Sequence, residues 1–198
     1  MRGTKFPLQG WRIVGFSALT VGTMVAIIWL FHGIDEQGMR MAIRATARTS
    51  TILFLGAFVA SSLHKLWSTP LSAWLLKNRR YLGISMAVSH TYHAIALSGL
   101  WFVTAGAAPS SNPLGLFGYV LLFAMTVTSF NRPAAWLGKR GWKILHSTGM
   151  HFFWLGFLFE YSFKLPNSML SYSPLVILLV LAMMLRLVAS RKQKELVA

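Results

Sequence analysis

Apolar runs close to the roughly 20 residues that span a bilayer as a helix recur along this 198-residue chain, with little sequence between them. They fall at about 11–31, 50–67, 80–103, 113–130, 143–163 and 171–189. In hydrocarbon the backbone amides find no water, so such runs are expected to satisfy their own hydrogen bonds as helices. The expected architecture is therefore all-α: a polytopic membrane protein, a bundle of six transmembrane helices. Residues 1–198 then form a single domain. No room is left for a separate soluble catalytic unit or a Rossmann-type nucleotide fold, and no internal repeat or linker is visible.

A net charge of +15 would suggest nucleic acid in a soluble protein. Here the charges partition between alternate loops. One side carries Arg2, Lys5, Arg12, Lys65, Lys77, Arg79, Arg80, Arg132, Lys139, Arg140, Lys143, Arg186, Arg191, Lys192 and Lys194. The other carries only Arg40, Arg44, Arg48 and Lys164. The positive-inside rule puts both termini in the cytoplasm, with membrane lipid rather than nucleic acid as the partner of these charges. The chain has no cysteine, which excludes disulfides, iron–sulfur clusters and thiolate chemistry. Its first apolar run ends in Phe31-His32-Gly33 without a small-x-small cleavage site and reads as a retained helix.

The stretch from Arg79 to His93 concentrates the chemistry. Two arginines hold to the membrane surface, and His90 and His93 follow on one face of an apolar helix. At about 1.5 Å per residue His93 lies roughly 20 Å beyond Arg80, well inside the hydrocarbon layer. An ionisable group there is a functional-site candidate by default. Helix five supplies His146 and His151, about 5 and 12 Å beyond Lys143, and His64 ends helix two. Around these, His32 reads as an interface residue, and Arg40, Arg44 and Arg48 as a basic stripe on a short outer-surface helix. That stripe would contact lipid phosphates or dock an acidic partner or haem propionates. Helix four, with only Tyr119 titratable, reads as packing, and loop three as a plain outer turn.

Zinc or a bare iron centre would ask for a third or fourth close ligand, often a carboxylate. A proton relay would show Asp or Glu at mid-membrane, and helix three has none. Haem b suits facing histidines better, since imidazole is a common axial ligand. The absence of Cys-x-x-Cys-His rules out covalent c-type attachment.

Two motifs carry a family resemblance: Arg79-Arg80-x-Leu82-Gly83 with His93 downstream, and Leu137-Gly138-Lys139-Arg140-x-Trp142-x-x-Leu145-His146. With Ala47-Arg48-Thr49 and Thr126-Val127-Thr128-Ser129 in support, residues 40 to 165 resemble the ferric reductase-like transmembrane domain family. The resemblance implies b-type haem held between helices three and five, with His93 and His146 matching ligand positions. The family's second helix-five histidine would fall thirteen residues after His146, where this chain has Phe159 followed by Glu160. His151 and His90, at similar depth, could instead bracket one iron, or His64 could join His146 near the cytoplasm.

The combined expectation is a cytochrome b-like electron conduit of the bacterial inner (plasma) membrane, with one or two haems. Metal ligation would fall to His93, His146, His151 and His90, with His64 as a further cofactor contact. Arg79, Arg80, Arg140 and Trp142 would line its cytoplasmic mouth. Electrons would come from a cytoplasmic flavin reductase, reduced FMN or a quinol, and leave to a periplasmic reductase or a metal ion. The chain would be an oxidoreductase subunit more than a stand-alone enzyme. Two other classes remain open: a non-catalytic subunit or assembly factor that has lost haem, and a small-solute or proton transporter.

Overall fold

The computed structural model describes residues 6–107 and 113–195, with side chains through residue 192. Arg2 and Lys5, the side chain of Lys194, and the middle of loop three lie outside the described residues. All regular structure among those residues is helical: α1 (Trp11–His32), α2 (Glu36–Leu66), α3 (Pro70–Val103), α4 (Pro113–Val127), α5 (Asn131–Lys164) and α6 (Met169–Glu195). A single 3-10 turn, Leu165–Asn167, joins the last two.

Three helices are longer than the apolar runs within them. The expected outer-surface helix around Arg40 is instead the first part of α2. Asp35 caps it, accepting from Gly38 N at 2.9 Å, and Glu36 pairs with Arg40 at 2.7 Å. Met39, Ala42, Thr46 and Ser50 then form one buried stripe that runs unbroken into the apolar part. The basic stripe divides accordingly: Arg40 and Arg44 are exposed, whereas Arg48 turns inward over the Tyr172 ring at 5.4 Å. His32 is exposed at the end of α1. Likewise α3 begins at Pro70, behind a Thr69–Ser72 capping box, so loop two is mostly helix. Loop four is helical too. It forms the first part of α5, set off by Gly138 at φ 65°, a left-handed conformation that suits a residue without Cβ.

Contacts fix the directions. The start of α1 sits on the start of α3, where Gly10 N donates to the buried Asn78 Oδ1 at 2.9 Å and Trp74 Nε1 donates to Leu8 O at 2.8 Å. Arg186 near the end of α6 meets Phe58 of α2, and Tyr172 near its start meets Arg48. Thus α1 runs parallel to α3, and α6 runs parallel to α2. The α2–α3 seam is lined with small polar residues, including a Ser50–Ser89 hydrogen bond of 2.9 Å, which lets the two backbones approach closely. The central apolar cluster joins Phe54 and Phe58 of α2, Leu82 and Met86 of α3, Met125 of α4, Phe153 and Phe157 of α5 and Leu179 of α6.

By length and composition, α1, α2 and α6 are each able to cross a membrane. The α4–α5 pair, bent by 108°, makes a fourth crossing if it is taken as one broken span. The chain is an all-helical integral membrane protein.

Candidate functional site

Histidines occupy two levels of the bundle. At the first, His146 stands beside a cavity of about 300 Å³ between α2, α3, α4 and α5, at the end where α1 begins and α6 ends. His146 and Trp142 of α5 line it, with Arg79, Arg80 and Met86 of α3 and Phe153 of α5. Thr128, one helix away, arranges the histidine. Its hydroxyl donates to Ala124 O at 2.7 Å, leaving an oxygen lone pair to accept from His146 Nε2 at 3.1 Å. That choice of tautomer leaves Nδ1 as the basic nitrogen. Trp142 stacks on the imidazole at 4.2 Å and donates Nε1 to Thr128 O at 2.9 Å. Arg79 donates to Ser61 Oγ at 3.0 Å and Arg80 to Asn131 Oδ1 at 3.3 Å. Gly83 forms part of the wall, and a Cβ there would meet nothing within 4 Å.

The second level lies further along α3. Met86 lines the cavity, and His93 is seven residues beyond it, about 10 Å along the axis. His93 Nδ1 lies 3.1 Å from Ile43 O and 3.1 Å from Thr46 Oγ1. The Thr46 hydroxyl proton is already donated to Ala42 O at 2.7 Å. Both partners of Nδ1 are thus acceptors, so the ring proton sits on Nδ1 and the lone pair on Nε2. An imidazole held this way is arranged as metal-ligating histidines usually are. His90 stacks on His93 at 5.2 Å and contacts the rings of Tyr119, Phe153 and Phe157 at 5.5, 6.2 and 5.9 Å. Its Nδ1 and the Tyr119 hydroxyl are both buried without a hydrogen-bond partner. Phe153 links the two levels, lining the cavity on one side and meeting His90 on the other.

Of the nine residues singled out in the sequence, Arg79, Arg80, Trp142 and His146 come together at the cavity, and His90 and His93 pair above it. His151 stands apart: it is exposed, with Nδ1 donating to Ser147 O at 2.7 Å and its ring edge-on to Phe58. Two residues from Phe153 is about 200° of helix, so His151 cannot share the face that meets His90. His64 Nδ1 bonds Ser72 Oγ at 3.0 Å within the α2–α3 turn, away from His146. Arg140 is exposed and does not line the cavity. Phe159 is 59% exposed and Glu160 pairs with Lys164, so neither faces the bundle interior. Thr46 and the paired phenylalanines were not picked out from sequence, and Thr128 and Tyr119 entered only as part of a motif and as packing. Hydroxyls and aromatic residues are too common in apolar helices to announce a site.

Among the described residues, no three His, Cys, Asp or Glu side chains converge, so a bare metal ion finds no cage. A macrocycle brings its own equatorial nitrogens and asks the protein for only one or two axial ligands. The residues present fit such a group. His93 offers Nε2 and His90 carries a buried, unpartnered nitrogen. At the inner level the space by Gly83 is open beside His146, with aromatic and aliphatic walls and guanidiniums at one end.

Fold and site together define a class: a helical membrane protein with histidines partly buried between its helices. Over 144 residues the chain is 30% identical to the protein-methionine-sulfoxide reductase heme-binding subunit MsrQ of Cronobacter sakazakii, covering 66% of this chain and 70% of the relative. The same subunit of Salmonella paratyphi B and of Salmonella newport is 28% identical over 142 residues, covering 65% of this chain and 69% of each relative. The chain belongs to the MsrQ family of heme-binding subunits. No protein-family profile and no solved structure matches it.

Proposed function

We propose that this protein is a single-domain, haem b-containing electron-transfer subunit of the bacterial inner membrane, with six spans and both termini in the cytoplasm. It takes electrons from a cytoplasmic flavin or quinol donor and delivers them to a reductase on the outer side. The observation that carries this reading is the arrangement of His93, whose Nδ1 proton is fixed by Ile43 O and Thr46 Oγ1 while Nε2 stays available. The relatives' description as heme-binding subunits of a protein-methionine-sulfoxide reductase supports both the cofactor and the kind of acceptor. The asymmetry of Lys and Arg supports the orientation.

When bound, haem supplies reversible one-electron chemistry at iron. The chain's own residues do the rest. His93 and His90 would hold haem at the outer level and His146 at the inner one, for one haem or two. Thr46 and Ile43 orient His93, and Trp142 packs against the ring of His146. Phe153 and Phe157 exclude water between the two levels, and Arg79 and Arg80 balance negative charge at the inner end.

A second reading, a subunit that kept the fold without cofactor, draws on the bond between His146 Nε2 and Thr128. In that reading His146 is an interhelical hydrogen-bonding residue. Electron transfer separates the two. Purified protein is placed in sealed vesicles with its termini facing a reduced flavin, and an electron acceptor is trapped on the other side. Reduction of the acceptor by the wild type and not by His93→Ala is the expected result. Equal rates for both would refute the proposal.

A further inference from the structure

Two arginines from different helices converge on one face of α2. Arg79 of α3 donates Nη1 to Ser61 Oγ at 3.0 Å. Arg186 of α6 donates Nη1 to Phe58 O at 2.8 Å and lies over the Phe58 ring, 4.2 Å from its centroid. Phe58 and Ser61 are three residues apart, on the same face of α2, so both guanidiniums are held against neighbouring turns of that face.

No described carboxylate answers them. Glu36 pairs with Arg40, Glu160 pairs with Lys164 and Asp35 caps α2, all at the opposite end of the bundle. Two like charges drawn partly out of water carry a desolvation penalty, which the Phe58 carbonyl and ring and the Ser61 hydroxyl offset in part and an anion would offset further. A guanidinium fork matches phosphate oxygens geometrically, and each of these arginines spends one donor on α2, leaving others to offer. Arg186 is not one of the residues lining the cavity that holds His146. In α6 it precedes Arg191 by five residues, about 7.5 Å along the helix, which sets it deeper than a simple end-of-helix anchor.

We propose that Arg79 and Arg186 form a phosphate clamp on α2, filled by the headgroup of an anionic phospholipid of the inner leaflet. The choice of leaflet rests on the orientation proposed above and not on haem. That leaflet carries anionic lipid, and basic pockets between helices on the cytoplasmic side suit such headgroups. Soluble phosphate shares the chemistry and is the other possible source.

Native mass spectrometry of the full-length protein in detergent tests this, because it resolves lipid and haem adducts separately. The titrants are phosphatidylglycerol, phosphatidylcholine and inorganic phosphate. The wild type should bind phosphatidylglycerol about fivefold tighter than phosphatidylcholine. Arg186→Gln should lose that preference with haem content unchanged, while Arg191→Gln keeps it. Equal preference in the wild type and Arg186→Gln overturns the clamp. So does loss of haem from Arg186→Gln in step with loss of lipid, since the arginine would then serve the cofactor. Inorganic phosphate that displaces the lipid and binds alone upholds the clamp but overturns the lipid as its source. Should Arg186→Gln not fold, Arg186→Lys keeps the charge and the stem over Phe58 but loses the fork. It should retain haem with a weakened preference, and an undiminished one overturns the proposal.

Discussion

His93 and Ile43 are joined across the α2–α3 interface: the ring Nδ1 of one lies 3.1 Å from the main-chain oxygen of the other. A backbone acceptor cannot be removed by mutation, so this half of the arrangement is built into the helix pairing. Thr46 supplies the other half, and it can be altered. Outer-shell partners of ligating histidines typically contribute 10- to 100-fold in affinity. Thr46→Val, nearly isosteric, should weaken haem binding within about that range while leaving the haem spectrum otherwise unchanged, and His93→Ala should abolish the outer-level haem. Haem titration of the stripped protein distinguishes a positioning role from a merely structural one, because only the former moves affinity without lowering the unfolding midpoint.

His146 offers a different test, since its Nε2 is bonded to Thr128. If coordination at the inner level uses Nε2, this bond must break, and Thr128→Val should strengthen haem binding there. His146→Ala should remove the inner-level signal and spare the outer one. Redox titration followed by absorbance would show one component vanishing and the other unmoved.

Gly83 marks open space on the cavity wall. Gly83→Ala should be tolerated and Gly83→Phe should fill the space by which a cofactor would enter. The expected outcome is a folded protein with reduced haem. Retention of full haem content in Gly83→Phe would mean that the cofactor does not use this cavity.

Phe54 is almost fully buried, stacked on Phe58 at 5.1 Å and against Phe157 at 5.4 Å. Truncating a phenylalanine so placed costs about 3–5 kcal/mol in soluble cores. Phe54→Ala should lower the unfolding midpoint in detergent, whereas Phe159→Ala, at an exposed position, should not. Gly138→Ala should also destabilise, by about 1–2 kcal/mol, because its φ of 65° is unfavourable for a residue with Cβ.

Much of the fold was legible because hydrocarbon imposes a length on apolar helices. Six runs gave six helices, of which α1, α2 and α6 are each long and apolar enough to cross a membrane, and the i, i+3 spacing of His90 and His93 put their rings side by side. The boundaries were less well read. Asp35 before Glu36 and Thr69 before Pro70 are ordinary helix-start signals, yet both lie outside the apolar windows that drew the spans. The site divided for a related reason. Arg79, Arg80, Trp142 and His146 meet because they sit at the same end on facing helices, which motif and topology together imply. His64 and His151 do not join them, because which way a helix faces is set by packing, and depth alone says nothing about rotation. Thr46 and Thr128 act through bonds to a neighbouring helix, which a linear sequence does not display.

The most direct test of the central claim is a dithionite-reduced minus oxidised absorption spectrum of the detergent-purified protein, with haem quantified per chain. A sharp b-type alpha band with a Soret shift, at one or two haems per chain, is the predicted result. A colourless protein from cells supplied with haem would contradict the account and leave His90, His93 and His146 as hydrogen-bonding residues between helices.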